Sequence, residues 1–234
     1  MKINLRKKPQ NPIIIEGFPG FGLVGTIVTE FLLEHLKCEQ IGEFVYDQLP
    51  AMAAIHKGKL VNPMAVHYSK KHNIVILQTI LNPKGQEWAI GNAVLEMANS
   101  LKAKKIISIE GVGSPRTLAA TKKEPQVYYY GDEKLRTKVG LKPIDESIIV
   151  GVTSTIMLNA KNSVCLFAET KSALPDANAA SRVIKALDKY LGLKVNPKPL
   201  IKQAQDFEGK LKGLIQQSTK TTTESDRKYM SYLG

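Results

Sequence analysis

The sequence predicts an α/β protein: a mostly parallel mixed sheet covered by helices on both faces, with a C-terminal helix and flexible tail. Three observations carry this. From about residue 12 to 192, short β-rich runs alternate with longer stretches of helical apolar spacing. Some β-rich runs, such as IVIL and IIVGV, are continuously apolar, as strands buried on both sides require. After Gly192 the chain becomes Pro-containing and then polar.

The first strand is PIIIE, led by Pro12 and followed by the glycine-rich EGFPGFGLVG. Apolar residues at helical spacing then predict a helix over 24–37. EFVY is the next strand, and NPMAVHY and NIVILQT, joined by SKKHN, predict a hairpin. In the helix over 86–101, Trp88, Val94, Leu95, Met97, Ala98 and Leu101 lie near one face. Lys102, Lys104 and Lys105 follow where cations complement the helix dipole. KKIISIEG, VYYYG, SIIVGVTS and NSVCLFAET read as further strands, with a short helix over 154–161 capped by Thr153 or Ser154. The last helix of the domain spans 176–191, with Asp176 as N-cap and Gly192 as its stop. Its buried side is Ala179, Val183, Ala186, Leu187 and Tyr190.

The globular domain therefore covers 1–193. Residues 194–217 hold a Pro-containing linker, KVNPKPL, and an amphipathic helix. Leu200, Ala204, Phe207, Leu211 and Leu214 form one narrow apolar stripe with coiled-coil spacing. Such a helix either docks on its own domain or meets other subunits. Residues 218–234 are a polar tail ending in YMSYLG. Tyr229, Met230, Tyr232, Leu233 and Gly234 at the end of a polar spacer suit docking on a partner or on the chain's own sheet.

Composition narrows the function classes. The chain of 234 residues is 43% hydrophobic and carries a formal net charge of +12. No apolar run approaches the roughly 20 residues that span a bilayer, so no membrane insertion is expected. The basic start, MKINLRKKPQNP, lacks a signal-peptide core, and the protein reads as cytoplasmic. The positive charge favours acidic partners, yet Lys and Arg are dispersed and no nucleic-acid motif appears. No specific nucleic-acid binding is expected. Cys38 and Cys165 sit in apolar surroundings without a CxxC partner and read as buried free thiols.

Gly20, Gly22 and Gly25 satisfy G-x-G-x-x-G between a strand and a helix, and Glu43 stands near the distance of a ribose-binding acid. Phe18, Pro19 and Phe21 make that loop bulky where a dinucleotide needs open backbone. Two readings follow: a nucleotide- or nucleoside-binding enzyme that uses Gly17, Pro19, Gly20, Gly22 and Gly25, or a ligand-free turn in which glycines allow close packing. His35, His56, His67 and His72 have no metal-ligand spacing, and no GxSxG elbow is present. Glu110 ends a strand before GVG, with no second carboxylate or histidine at a fixed distance in sequence. Neither a cofactor, a metal nor a catalytic constellation is expected.

Taken together, EGFPGFGLVG, QLPAMAAIHKGKL, ISIEGVGSP, GVTSTIMLNAKNSVCLFAET and LPDANAASRVIKALDKYLGL give a chain that resembles the archaeal proteasome assembly chaperone family over about 12–192. Members of that family have also been labelled ATP-grasp-like from sequence. The resemblance implies a three-layer α/β/α fold of the phosphorylase/hydrolase-like kind, a homo-oligomer, and binding to proteasome α-subunits without established catalysis. It also implies that a C-terminal hydrophobic–Tyr–any tripeptide can insert between neighbouring α-subunits. This chain ends Tyr232-Leu233-Gly234 and so departs from that pattern.

Overall fold

The computed structural model describes residues 1–46, 54–56, 58–79, 84–113, 126–170 and 173–195, with isolated positions at 202, 205, 206 and 209. Eleven strands and four α-helices occur among them. The strands are β1 (Lys2–Leu5), β2 (Ile13–Glu16), β3 (Glu39–Val45), β4 (Ala54–His56), β5 (Lys59–Val61), β6 (Met64–Ser69), β7 (Ile74–Thr79), β8 (Lys105–Gly113), β9 (Val127–Tyr130), β10 (Lys142–Pro143) and β11 (Ser163–Thr170). The helices are α1 (Val24–His35), α2 (Glu87–Ser100), α3 (Val152–Asn159) and α4 (Ala177–Leu191). None is long and apolar enough to cross a membrane.

Nine strands form one mixed sheet in the order β1-β3-β6-β7-β2-β8-β11-β9-β10. Its centre, β7-β2-β8-β11, is parallel; β1, β3 and β6 on one side and β9 on the other join through antiparallel pairings. β4 and β5 form a separate hairpin. The expected hairpin of 63–68 and 74–79 is present as β6–β7.

Three layers result. Under α1 and α4 the sheet presents Ile15, Ile107, Ile109, Leu166 and Ala168. Under α2 and α3 it presents Ile14, Val66, Val75, Leu77 and Ile106. Successive strand residues point to opposite faces, so the continuously apolar runs feed both cores.

The structure corrects several sequence expectations. SIIVGVTS is not a strand: residues 145–150 run as an unpaired strap from the sheet edge at β10 to α3, leaving Ile148 91% and Val150 75% exposed. β-propensity alone did not make it a strand: β8, β11 and β9 already pair with one another, and the run leaves the edge strand β10 for α3 without pairing. The helix begins at Val152 with Gly151 as N-cap, and neither Thr153 nor Ser154 caps it. Trp88 is 59% exposed on α2, where Ile90 takes the buried position. Lys105 opens β8 rather than closing a helix. It pairs with Asp132 at 2.6 Å and also donates to the Tyr190 hydroxyl, which itself donates to Asp132 at 2.6 Å. Lys105 and Tyr190 together hold the Asp132 carboxyl well below its ordinary range. β1, not among the strands the sequence predicts, is an edge strand antiparallel to β3.

Asp176 caps α4 as expected, accepting from Ala179 N–H at 3.0 Å, and Gly192 closes it at φ 71°. Both cysteines are free: Cys165 is buried, Cys38 half-buried, and burial pushes the Cys38 thiol up to about 12.

Candidate functional site

β2 and β8 lie side by side and parallel at the centre of the sheet. From β2 the chain leaves through α1 toward β3 on one side; from β8 it leaves toward β9 on the other. Their C-terminal ends therefore flank a topological switch point, where open α/β sheets hold their ligands.

Both strands end in a glutamate followed by glycine: IIIEG at 13–17 and ISIEG at 107–111. Glu16 is fully buried. Its Oε2 accepts from Phe18 N–H at 3.3 Å, and its Oε1 lies 3.4 Å from the Thr153 hydroxyl. The same hydroxyl lies 3.2 Å from Glu110 Oε2. One hydroxyl proton thus faces two carboxyl groups and can satisfy only one of them. Burial pushes the Glu16 carboxyl up to about 7, against the pull of Ser108, Phe18 N–H and Thr153. Burial, and next the charge of Glu16, push Glu110 up to about 8. Burial thus disfavours the charged form of both carboxyls, and the charge of Glu16 adds to this at Glu110.

A cleft of about 300 Å³ opens onto Glu110, with Gly20, Phe21 and Gly113 on one wall and Ile148 and Val150 of the strap on the other. Chemically it offers the Glu110 carboxyl to a ligand, while Glu16 stays fully buried and does not line the opening. That suits a small ligand which donates hydrogen bonds.

The glycine loop serves packing. A side chain on Gly17 would strike the Gly25 carbonyl, and one on Gly25 would lie 2.6 Å from both Gly17 Cα and the Ile109 carbonyl. A side chain on Gly20 would strike Glu110 Oε1. Gly22 adopts φ 68° against Thr170, and its carbonyl accepts from Asp176 N–H at 2.9 Å. Phe18 is buried against Phe44 in an edge-on contact with ring centroids 6.3 Å apart. Pro19 is half-buried in the same turn. The start of α1 is filled by the protein itself, with Val24, Gly25, Thr26 and Ile27 buried. It presents no open cradle for a pyrophosphate. Glu43 is likewise no ribose ligand: β6 and β7 separate β3 from β2, about 14 Å at ordinary strand spacing, and Glu43 accepts from Asn62 at 3.0 Å.

His35 and His72 make local contacts near the end of α1. His35 contacts the Leu193 carbonyl at 3.2 Å and stacks on Phe31, while His72 contacts Ser69 at 3.2 Å. Among the described residues no group of His, Cys, Asp or Glu could hold a metal ion. The stripe of Leu200, Ala204, Phe207, Leu211 and Leu214 lies outside the described residues, as do Tyr229, Met230, Tyr232, Leu233 and Gly234. At 202, 205, 206 and 209 the backbone is helical and exposed.

The model of the PAC2 family matches residues 14–215. The chain belongs to the PAC2 family. Its fold is similar to that of Pyrococcus furiosus PbaA, whose structure is described as an archaeal homolog of proteasome-assembly chaperone. That similarity covers 99% of each chain at 28% identity with a TM-score of 0.77. Pyrococcus furiosus PbaB, described as an archaeal proteasome activator, shares the fold at 21% identity and a TM-score of 0.70, over 91% of this chain and 98% of its own. The uncharacterized protein MJ0106 of Methanocaldococcus jannaschii is 27% identical over 96% of this chain and 94% of its own. The layered α/β/α architecture expected from the sequence is the PAC2 architecture.

Proposed function

We propose that this PAC2 protein is a proteasome assembly chaperone: it binds proteasome α-subunits as a homo-oligomer and catalyses no reaction. The observation that carries this reading is the likeness to the PbaA homolog of proteasome-assembly chaperone over nearly the whole of both chains. The helix stripe from Leu200 to Leu214 would join subunits, which places several tails on one particle. Each tail would bury Tyr232 and Leu233 in an α-subunit pocket and pair the Gly234 carboxylate with a lysine. One such contact is weak, but linked tails raise the effective concentration of every later contact. A pull-down with recombinant α-subunits tests the proposal. Full-length protein should retain them, and a version lacking 232–234 should lose most of that retention while keeping its melting temperature. Equal retention by both versions, with a lowered melting temperature in the truncated one, would make the tail a structural latch instead.

The carboxyl pair at the switch point favours a second reading, a nucleoside-like ligand held beside the Gly17–Gly25 loop. Its recognition would rest on hydrogen-bond donors facing Glu110, because the packed start of α1 offers nothing to phosphate. Calorimetry with adenosine and with ATP separates the cases. Heat with adenosine that disappears in Glu110→Gln would support a ligand site, and silence with both leaves chaperone binding alone.

A further inference from the structure

A groove lies away from the carboxyl pair, between α4 and the sheet edge formed by β9 and β10. It encloses about 510 Å³. Val127, Leu141 and Val195 give it an apolar floor. Lys142 stands on the β10 wall, and Arg182, Lys185 and Lys189 stand on the α4 wall. Four cations therefore face one carboxylate, Asp188, whose Oδ1 already accepts from Val195 N–H at 3.2 Å. Lys142, Lys185 and Lys189 are exposed and make no ion pair among the described residues.

The spacing of these charges tells what they fit. Arg182, Lys185 and Lys189 recur at helical steps along one side of α4, a stripe of about 10 Å at 1.5 Å per residue. A compact phosphate wants converging donors, such as the first amides of a helix. Here the cations are strung in a line along the side of α4 rather than converging at a helix start. A ligand with several negative charges spread along its length, and apolar groups between them, meets both the rim and the floor.

We propose that this groove docks a peptide segment of a partner protein in which acidic residues alternate with apolar ones. The acidic side chains would lie along Lys142, Lys185 and Lys189, and the apolar ones would bury against Val127, Leu141 and Val195. The chain's charge of +12 would draw such a segment in from a distance. The docking does not depend on the proteasome being the partner: a failed α-subunit pull-down would leave it intact.

Fluorescence anisotropy on the full-length protein tests it, with a labelled peptide alternating glutamate with leucine and valine. Saturable binding is expected, weakening as salt rises. A Lys185→Glu, Lys189→Glu double variant should bind at least tenfold more weakly. Lys142→Glu, on the opposite wall and exposed, should move affinity in the same direction, and it decides the matter if the helix variant melts early. Affinity unchanged in a properly folded variant overturns the proposal. So does polyglutamate or a short RNA that displaces the peptide with equal potency, since either outcome would make the groove a general polyanion surface.

Discussion

Under α1 and α4 the central strands present Ile15, Ile107, Ile109, Leu166 and Ala168; under α2 and α3 the same strands present Glu16, Ser108, Glu110 and Cys165. Strand alternation alone separates the two sets. The first face gains from every atom it removes from water. The second buries two carboxyl groups that burial disfavours in their charged form, with Thr153 as their shared partner. The α2–α3 side thus sets two costly carboxyl groups beside an apolar core of its own, which includes Ile14, Val75, Leu77 and Ile106. The carboxyl groups lie at the switch point, where ligands of this architecture bind.

The contrast can be broken most strongly from the apolar side. Leu166→Ala should cost about 2–5 kcal/mol, the usual price of a cavity at a fully buried site. Chemical denaturation should return that loss at pH 5 and at pH 8 alike; a loss confined to one pH would show that the faces are coupled.

The polar face should respond to pH instead. Glu16 and Glu110 have folded values raised to about 7 and about 8 from 4.5. Between pH 4.5 and 8 the unfolded chain gives up these protons while the native chain keeps them, so stability falls as pH rises. Their contribution is complete below about pH 4.5 and lost above about pH 8. Glu110→Gln should flatten much of that decline and raise stability at pH 8 relative to the wild-type chain. A stability curve with the same slope in both proteins would mean the carboxyls are ordinary.

The smallest effect is expected at the edge of the apolar face. Asp132→Asn removes a carboxylate that accepts from Lys105 and Tyr190, at about 1–3 kcal/mol near neutrality. Its depressed folded value makes the contribution present above the unfolded carboxylate range, with loss as pH falls below it. The variant and the wild-type chain should therefore converge in strong acid, opposite in sign to the glutamate pair. Thermal melts across the acid range read this directly.

Much of this architecture is legible in the chain. The runs PIIIE, NIVILQT, KKIISIEG and NSVCLFAET are strands because a parallel centre needs both faces apolar, and Asp176 and Gly192 bound α4 as their chemistry demands. SIIVGVTS failed for a tertiary reason: strand propensity makes a strand only where the run pairs, and this run crosses from β10 to α3 unpaired. β1 was missed because only pairing with β3 makes a strand of Lys2–Leu5. The carboxyl pair was half visible. Glu110 stood out, while its partner was sought nearby in sequence rather than on the neighbouring strand. The repeated I-x-I-E-G, twice ending an apolar run with an acid and a glycine, was the signal that could have found it. The Lys105–Asp132–Tyr190 network left no such trace, since its members come from three separate elements.

The contact of Gly17 with Gly25 reaches beyond local fit. With no side chain between them, the backbone leaving β2 lies against the first turn of α1, and that turn lies against the Ile109 carbonyl of β8. A helix held this way cannot lift off by swinging a side chain aside; it leaves only when the central strands part. In hydrogen exchange the amides after Gly25 should belong to the slowest class, opening with the whole domain rather than by fraying. The segment that looks most like a mobile phosphate loop is thereby among the last parts of the molecule to move.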